Sequence, residues 1–554
     1  MRKLYSLTMI IIAALFISHC SKKEEGEVTT EEINGKKVKI IDYHFYPKRY
    51  IMIGQFKDDT LLTVGKNEIL FKAKERIGVH ISSNMQMGIL KKKSTLKVGS
   101  SSIPFKSKTM ISFDEKGQII EGIIDGCIDL PAGTNTVKFC ENPQAKDRMY
   151  MPNISFNNEG KILGGFLGED TQLRMGPYEL LFTSQAQEEG KPMLKMIFFN
   201  TVGEVVRGYL GKDTLITVNT HSILFARGSF FILGEDDKFE HVEGILAKES
   251  TMFLAGKNVT FKKGSLLNFS MNYETKKLFL SQAGVLEPTS FTINNNTFAC
   301  ASNSYIYFYG SGGISTLSLN KDTTLRVGAQ NVLLKGGNEY SVSLDEKGNI
   351  SAGILTKPTK ILAGATPYIF NDSLTFHPNG SVNGASLERD TEIPVGINRI
   401  RFKGKKYMFF YPSGGVNNGF MAADTEIKVK NGTAVFKGDA VKINFYKNGN
   451  VKEGMLINFS LFKIGGHEIP FYLGIKFHEN GGIDIARLYM EKTVKVGRNK
   501  LPLNQGNYVY FYPSGALKTG FMARDVELKV GEKTKHFPKS SRIDLDENGN
   551  IKDQ

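Results

Sequence analysis

The chain has 554 residues and a formal net charge of +15, and its composition includes 57 Gly, 38 Phe and no Trp. A chain of this length is too long for one hydrophobic core, and it lacks the long segments of 3.6-residue apolar period that a helical protein would show. The basic residues are scattered along the chain and form no recognised binding motif for nucleic acids, so we expect no nucleic-acid partner.

The first segment, residues 1–19, has the pattern of a targeting sequence. Arg2 and Lys3 precede an apolar run, at about residues 7–17, that is too short to span a membrane. The run ends just before Cys20, and the charged residues that follow, up to residue 37, predict a flexible tether. A plain secretory signal with an incidental cysteine is the alternative interpretation.

An apolar run that ends in a cysteine before a polar tether resembles the signal of bacterial lipoproteins. In that family the cysteine becomes the lipidated first residue of the mature protein. The resemblance implies a signal peptide at 1–19, a lipidated tether at 20–37 that begins with Cys20, and a membrane anchor at the cell envelope. We expect the outer membrane, with its periplasmic and surface faces both left open.

The rest of the chain, residues 38–554, is organised by a repeat. The segment FYPSGGVNNGFMAADTEIKV, which starts at Phe410, returns as FYPSGALKTGFMARDVELKV from Phe511, with 13 of 20 positions identical. Looser copies give a step of about 34 residues, and we mark each copy by its first aromatic or leucine residue: Phe113, Phe156, Phe199, Phe239, Phe308, Leu344, Phe376, Phe410, Phe445, Phe477, Phe511 and Leu545. Such a period predicts an array in which each unit covers the apolar face of its neighbour.

Within a copy, the residue pattern predicts short strands joined by tight turns. Pro412, Ser413 and Gly414 form a turn cluster, and Ile427 and Val429 alternate with charged residues, as in a strand with one buried face. The turn glycines that we expect to be structural are Gly380, Gly414, Gly449, Gly481 and Gly515.

The predicted fold class is therefore all-β, an elongated array of antiparallel β-hairpin repeats. Residues 257–304 have lost most of the repeat's glycines. A bend or a seam between two sub-arrays is expected there, and it is also where a dedicated pocket would be sought.

The cysteines are few. Cys127 and Cys140 flank the turn at 131–133, so a hairpin could bring them together, and an oxidising compartment would then favour a disulfide. The spacing alone leaves the bonded and the free states open. Cys300 has no partner and is expected to be a buried small hydrophobic residue.

Motifs that would carry chemistry are not found. The nine histidines stand singly, without the spacing of metal ligands, so we predict no metal, no cofactor and no catalytic residue. His377 and His478 occupy a repeat position where Tyr411 stands in another copy, which favours a structural role. The tail from Asp544 to Gly549 resembles the start of a calcium loop, but it coincides with the repeat turn.

The element F-Y-P-S-G, with its variants at Phe376 (F-H-P-N-G) and Phe445 (F-Y-K-N-G), resembles the MORN-type repeats of the antitoxin-like YwqK group. Those repeats are stacked β-hairpin units with a binding or scaffolding role. Together with the lipoprotein signal, the whole chain resembles repeat lipoproteins of the spirochaete type, and this resemblance implies a fold more than an activity.

We therefore expect a membrane-anchored, non-catalytic scaffold that binds a partner or bears load at the cell envelope. The mature chain keeps a net charge of +13 after Arg2 and Lys3 are removed from the +15, so an anionic polysaccharide or lipid is the favoured partner class, beside a protein ligand. A surface adhesin for host or polysaccharide ligands is the alternative. A hydrolase hidden in the array is the more remote alternative, because no repeat shows clustered histidines and carboxylates.

Overall fold

The structure is a computed structural model that describes residues 28–46, 51–141, 153–188, 191–218, 221–234, 238–254 and 257–552. All regular elements within these ranges are β-strands, and they contain no α-helix. The all-β class is thus confirmed. The chain divides between Gly284 and Val285 into two compact units. This boundary falls inside the stretch 257–304.

The strands of the first unit, the last of which ends one residue past the boundary, are β1 (Thr29–Ile33), β2 (Lys36–Tyr46), β3 (Ile51–Phe56), β4 (Thr60–Val64), β5 (Asn67–Phe71), β6 (Arg76–His80), β7 (Met85–Ile89), β8 (Ser94–Val98), β9 (Ser101–Phe105), β10 (Met110–Phe113), β11 (Ile119–Gly122), β12 (Cys127–Ala132), β13 (Asn135–Cys140), β14 (Ile154–Phe156), β15 (Ile162–Gly165), β16 (Thr171–Met175), β17 (Tyr178–Thr183), β18 (Gln185–Glu188), β19 (Lys191–Leu194), β20 (Ile197–Phe199), β21 (Val205–Leu210), β22 (Thr214–Val218), β23 (His221–Phe225), β24 (Phe230–Leu233), β25 (Phe239–Ile245), β26 (Ser250–Leu254), β27 (Lys257–Phe261), β28 (Leu266–Asn272) and β29 (Lys277–Val285).

The strands of the second unit are β30 (Thr289–Ile293), β31 (Asn296–Cys300), β32 (Ser304–Phe308), β33 (Ile314–Leu317), β34 (Thr323–Val327), β35 (Gln330–Leu334), β36 (Val342–Leu344), β37 (Ile350–Ile354), β38 (Thr359–Ala363), β39 (Thr366–Phe376), β40 (Val382–Leu387), β41 (Thr391–Val395), β42 (Asn398–Phe402), β43 (Tyr407–Phe410), β44 (Val416–Phe420), β45 (Thr425–Val429), β46 (Gly432–Phe436), β47 (Lys442–Phe445), β48 (Val451–Met455), β49 (Ser460–Ile464), β50 (His467–Phe477), β51 (Ile483–Leu488), β52 (Lys492–Val496), β53 (Asn499–Leu503), β54 (Tyr508–Phe511), β55 (Leu517–Phe521), β56 (Val526–Val530), β57 (Lys533–Phe537) and β58 (Arg542–Asp544).

Each repeat contributes two hairpins that have different structural roles. One hairpin, such as β43–β44, pairs with the equivalent hairpins before and after it and so builds a continuous antiparallel sheet. The other hairpin, such as β41–β42, has backbone pairs mainly within itself and is called a side hairpin below. The sheet of the second unit runs in the order β32-β33-β36-β37-β39-β40-β43-β44-β47-β48-β50-β51-β54-β55-β58.

The first unit follows the same plan, with β2-β3-β6-β7-β10-β11-β14-β15-β20-β21-β24-β25-β28-β29 as its sheet. All of these pairs are antiparallel, as the sequence predicted. On sheet strands such as β14 and β43, buried residues alternate with partly exposed ones, which is the two-residue period of a sheet with one covered face.

The core lies between each sheet and its side hairpins. Ile400 and Phe402 of the side hairpin β41–β42 and Met408 and Phe410 of the sheet are all at most 1% exposed. The second glycine of the repeat makes room for this packing, because a Cβ on Gly419 would lie 2.9 Å from the Phe402 ring. In this repeat a fully buried aromatic ring of the side hairpin thus fits over a glycine of the sheet, and Leu334 and Leu503 take the same place over Gly353 and Gly520 in two other repeats.

Two sequence predictions need correction. Residues 29–37, predicted to belong to a tether at 20–37, lie in the hairpin formed by β1 and the start of β2. The repeat marker Phe239 is also misplaced, since Leu233 occupies the position that Phe410 has elsewhere, opposite Phe239 and beside a register shift. The sequence pattern misled because Phe239 begins the following strand, so both residues are apolar. Signal residues 1–19 and Cys20 lie outside the described residues.

Candidate functional site

The turn glycines of the sheet hairpins all have a left-handed backbone. Gly414 has φ 89°; its N–H donates to Tyr411 O, while Tyr411 N–H donates to Gly415 O. This is a type I turn followed by a glycine bulge, for which φ > 0 is required at the glycine. The same geometry, with φ between 81° and 91°, occurs at all five predicted glycines: Gly380, Gly414, Gly449, Gly481 and Gly515.

Some of these glycines also touch glycines in the turns of side hairpins. A Cβ on Gly414 would lie 2.7 Å from the Cα of Gly364 and would overlap the carbonyl of Ala363. Gly380 meets Gly328, and Gly449 meets Gly396, in the same way. We call this row of backbone contacts the glycine seam. In these repeats it explains why both turns hold glycine.

His377 and His478 hold adjacent repeats together. Their Nε2 atoms lie 2.9 Å from Phe410 O and 3.0 Å from Phe511 O, each in the next repeat. Tyr411 makes the equivalent bond, with its hydroxyl donating to Phe445 O at 2.8 Å. The two histidines therefore occupy a structural position.

Aspartates that stand just before the first strand of a side hairpin close several of these hairpins. Asp390 Oδ1 accepts a hydrogen bond from Gly404 N–H at 2.9 Å, and Thr391 donates its hydroxyl to Arg389 O at 2.8 Å. The same aspartate bond, always to the residue 14 positions later, is made by Asp59, Asp213, Asp322, Asp424 and Asp525. These carboxylates are engaged with backbone.

One side hairpin replaces this aspartate by a cysteine. Cys127 stands opposite Cys140 at the open end of β12–β13, and the two form a disulfide. Cys127 occupies the repeat position of Asp59, so the covalent bond closes the hairpin where the carboxylate bond is missing. Cys300 is buried and free, and burial raises the pKa of its thiol to about 12.

The outer face of the second unit's sheet, which points away from the core, differs along its length. On the strands β36–β40, its cross-strand pairs are formed mainly by small residues, such as Ser343 with Ala352 and Thr375 with Gly384. On β43–β58, aromatic and basic residues face each other across strands. We call the following set the aromatic–basic stripe: Tyr407, Phe420, Lys442, Arg487, Tyr508, Phe521 and Arg542.

Lys442 is the centre of the stripe's first part. It stands directly opposite Phe420, and its Nζ lies 5.5 Å from the centroid of that ring and 5.4 Å from that of Phe409. Tyr407 packs edge-on against Phe409 at 5.2 Å. A cation between two partly exposed rings is held in place while its charge remains available to an anion.

Arg487 holds the next position. Its Nε donates to Gly506 O at 2.6 Å, its guanidinium lies 5.5 Å from the Tyr472 ring, and Tyr508 stands opposite it. Arg542, by contrast, is paired with Asp544 at 2.9 Å. Lys442 and Arg487 are therefore the two cations of the stripe that form no ion pair within the described residues.

The first unit has a smaller cluster of the same kind on its own outer face. Arg207 lies 5.3 Å from the ring of Phe198, which stands opposite it, and the rings of Tyr209 and Phe230 are 4.6 Å apart. Glu121 lies on that face between Ser112 and Ser155, and burial raises the pKa of its carboxyl to about 7.

A cavity of about 250 Å³ opens at the turn edge of the second unit. There the side hairpin β30–β31 turns through Asn294 and Asn295, both with positive φ, instead of a glycine, and Arg326 also lines the cavity. Asn294 is engaged with Lys347 O at 2.8 Å. This cavity takes three of its lining residues, 294–296, from the stretch where a dedicated pocket would be sought.

The described residues lack two further features. They hold no group of three or more His, Cys, Asp or Glu that is placed to bind a metal ion. They also include no helix long and apolar enough to cross a membrane. The aromatic–basic stripe was missed at the sequence level, and its signal was the aromatic residue three positions before the marker, as in Tyr407 and Tyr508.

Comparisons with known proteins add little. No protein-family model and no curated protein matches the chain. Among solved structures, a chain of the Photorhabdus luminescens Tc holotoxin pore matches with 10% identity and a TM-score of 0.12. The match covers 94% of this chain and 29% of the toxin chain, and its TM-score is too low to carry an argument.

Proposed function

We propose that the chain is a non-catalytic binding scaffold of a bacterial cell envelope, anchored by lipid on Cys20, that holds an acidic polysaccharide on the aromatic–basic stripe. The single observation that supports this proposal most is the stripe itself, with Lys442 and Arg487 held beside partly exposed rings. Sugar rings pack on aromatic faces, and carboxylate or sulfate groups pair with the cations.

The engagement of the conspicuous polar residues supports the non-catalytic part of the proposal. Asp390 and its equivalents bind backbone N–H groups, and His377 and His478 bind carbonyls of the next repeat. These are structural tasks that recur from repeat to repeat. The fold is a scaffold on which the outer residues of the sheet are free to vary.

Binding is tested with the full chain carrying Cys20→Ser, titrated with polygalacturonate and with an uncharged polysaccharide, dextran. We expect polygalacturonate to bind, with an affinity that falls as salt rises, since the Debye length is only about 8 Å at physiological ionic strength. Lys442→Ser and Arg487→Ser should each weaken binding about fivefold, in line with the roughly 1 kcal/mol of an exposed charge–charge contact.

The matched control is Lys428→Ser, which removes the same charge from an exposed side-hairpin residue. This variant should change the affinity for polygalacturonate by no more than about twofold. Lys428 lies on the side-hairpin face, whereas the stripe lies on the opposite face, that of the sheet. Equal losses for Lys428→Ser and Lys442→Ser would mean that net charge, and not the stripe, governs binding, and the proposal would fail.

The anchor is tested separately in cells. Cys20→Ala should move the protein out of the membrane fraction after a high-salt wash, because a covalent lipid is the proposed anchor. Proteolysis of intact cells then decides between the periplasmic and the surface face. Retention of the Cys20→Ala chain in washed membranes would refute the lipoprotein assignment.

A further inference from the structure

The outer face of the late side hairpins carries a patch of exposed apolar residues. We call it the apolar patch and define it by Val435, Ile457, Phe459, Leu461 and Tyr489. Each of these side chains is between 37% and 51% exposed, although all five are large hydrophobic residues. Scattered exposed apolar residues need no explanation, but adjacent ones do.

The members of the patch are neighbours in space. Phe459 and Tyr489 stack with ring centroids 4.7 Å apart, at an angle of 16°. Tyr489 N–H donates to Pro470 O at 2.9 Å, and Pro470 stands directly opposite Leu461. Ile457 N–H donates to Val435 O at 3.1 Å. The patch thus joins Val435 and Leu461 of two side hairpins with Ile457, Phe459 and Tyr489, which lie on the segments that lead from the sheet into a side hairpin.

A row of lysines lies beside the patch on the same face. Leu461 and Lys463 are two residues apart on β49 and therefore point the same way. The same position of the neighbouring side hairpins also holds lysine, and we call this set the lysine row: Lys428, Lys463, Lys495 and Lys529. None of the four forms an ion pair within the described residues.

Side chains of the preceding hairpins fix the lysine row in register. Asn398 and Asn499 each bond both the N–H and the carbonyl of the lysine in the next hairpin, Lys428 and Lys529 respectively. Lys500 also stands directly opposite Lys495, a like-charge pair that costs stability. Three glutamates share this face: Glu426, Glu468 and Glu527. With Lys500 the face holds five lysines against three glutamates.

We propose that this face, the apolar patch together with the lysine row, docks on the surface of an anionic lipid bilayer. Aromatic and aliphatic side chains enter the boundary between head groups and acyl chains, and the lysines pair with lipid phosphates beside them. Charge complementarity selects this occupant, because a flat surface of repeated phosphates matches a row of regularly placed lysines. The inference rests on other residues than those of the aromatic–basic stripe, and the two surfaces adjoin where the rings of Tyr489 and Tyr472 lie 5.7 Å apart.

The test uses the full chain with Cys20→Ser, so that no covalent lipid contributes, in flotation with vesicles. We expect the chain to float with vesicles of phosphatidylcholine and phosphatidylglycerol and not with phosphatidylcholine alone. Phe459→Ser with Leu461→Ser should reduce the partition coefficient at least about tenfold, and Lys463→Gln about fivefold.

Two controls sharpen the experiment. Phe253→Ser removes a still more exposed apolar residue, 63% exposed, from a side hairpin of the first unit and should leave flotation unchanged. Lys442→Ser should also leave flotation unchanged while weakening polygalacturonate binding, which keeps the two proposals distinguishable. Circular dichroism of each variant verifies that the strands persist.

The inference is wrong if neutral and anionic vesicles bind the chain equally, or if Phe459→Ser with Leu461→Ser floats like the parent chain. It is also wrong if the parent chain dimerises in sedimentation velocity, loses the dimer through these substitutions and does not float. In that case the patch is covered by a second copy of the chain.

Discussion

The early hairpins of the second unit, β32–β40, and its late hairpins, β43–β58, share one backbone plan but differ in what they expose. The outer face of β36–β40 carries mainly small residues, whereas the glycine seam runs through turns of both regions, at Gly380, Gly414 and Gly449. From Gly481 onward the seam loosens, since a Cβ on Gly515 would meet nothing within 4 Å. The late hairpins also carry the stripe, the apolar patch and the lysine row. The difference teaches that the fold needs only the inner face and the turns, so outer positions are free to acquire binding chemistry.

The largest expected effect comes from substituting the two turn glycines. Gly414→Ala should lower the free energy of unfolding by at least about 3 kcal/mol, because the left-handed backbone is strained and the new Cβ overlaps the Ala363 carbonyl. Gly515→Ala, with the same φ but open space, should cost only about 1–2 kcal/mol. Urea unfolding measures both, and equal losses would contradict the division into a tight and a loose seam.

In the first unit, the carboxyl group of Glu121 lies between two serines on the outer face of the sheet and is largely buried. Burial raises the pKa of Glu121 to about 7 from 4.5, so ionisation disfavours the folded state. The penalty is absent below about pH 4.5, grows as pH rises and is complete above about pH 7. Glu121→Gln should therefore stabilise the chain by about 2–3 kcal/mol at pH 8 and by little at pH 4.

Denaturation at the two pH values tests this expectation. Glu453→Gln is the matched control, because Glu453 is paired with Lys476 at 3.6 Å on the late outer face and should show no gain at pH 8. A gain for Glu121→Gln that is equal at both pH values would show that packing, and not ionisation, is responsible.

Side-chain hydrogen bonds between repeats should contribute less to the free energy of unfolding than the effects described above. Tyr446→Phe removes a hydroxyl that donates to Phe477 O at 2.8 Å and should cost about 1 kcal/mol. Tyr508→Phe, at a tyrosine that is 48% exposed, should cost nothing measurable. Thermal unfolding compares the two variants, and a cost for Tyr508→Phe as large as that for Tyr446→Phe would contradict a specific role for the bond.

The smallest expected effect comes from placing a basic residue opposite an aromatic one on the early part of the sheet's outer face. Ser386 stands opposite Tyr407, so Ser386→Lys creates an aromatic–basic pair like that of Phe420 and Lys442. We expect affinity for polygalacturonate to rise about twofold, the effect of one added exposed charge. Thr433→Lys adds the same charge to the side-hairpin face, and an equal rise there would show that the aromatic neighbour is irrelevant.

Sequence reasoning found the fold class and the turn glycines because both are local. A type I turn with a glycine bulge is encoded within five residues, and a one-sided strand shows its two-residue period directly. Sequence reasoning misplaced the marker at Phe239, because Leu233 and Phe239 are both apolar and either one fits the marker pattern. It also placed the start of the array too late, because the charged residues of β1 and β2 alternate with only a few apolar ones, such as Ile33 and Val38.

The sequence by itself determined the repeat, its turns and which residues enter the core, since each of these depends on neighbours along the chain. Tertiary structure alone decided which outer residues meet. Lys442 and Phe420 face each other from different repeats, and the register shift at each marker, as between Phe409 and Phe410, changes which residues lie opposite. The stripe, the apolar patch and the lysine row depend on that register, which forms only when the hairpins pair.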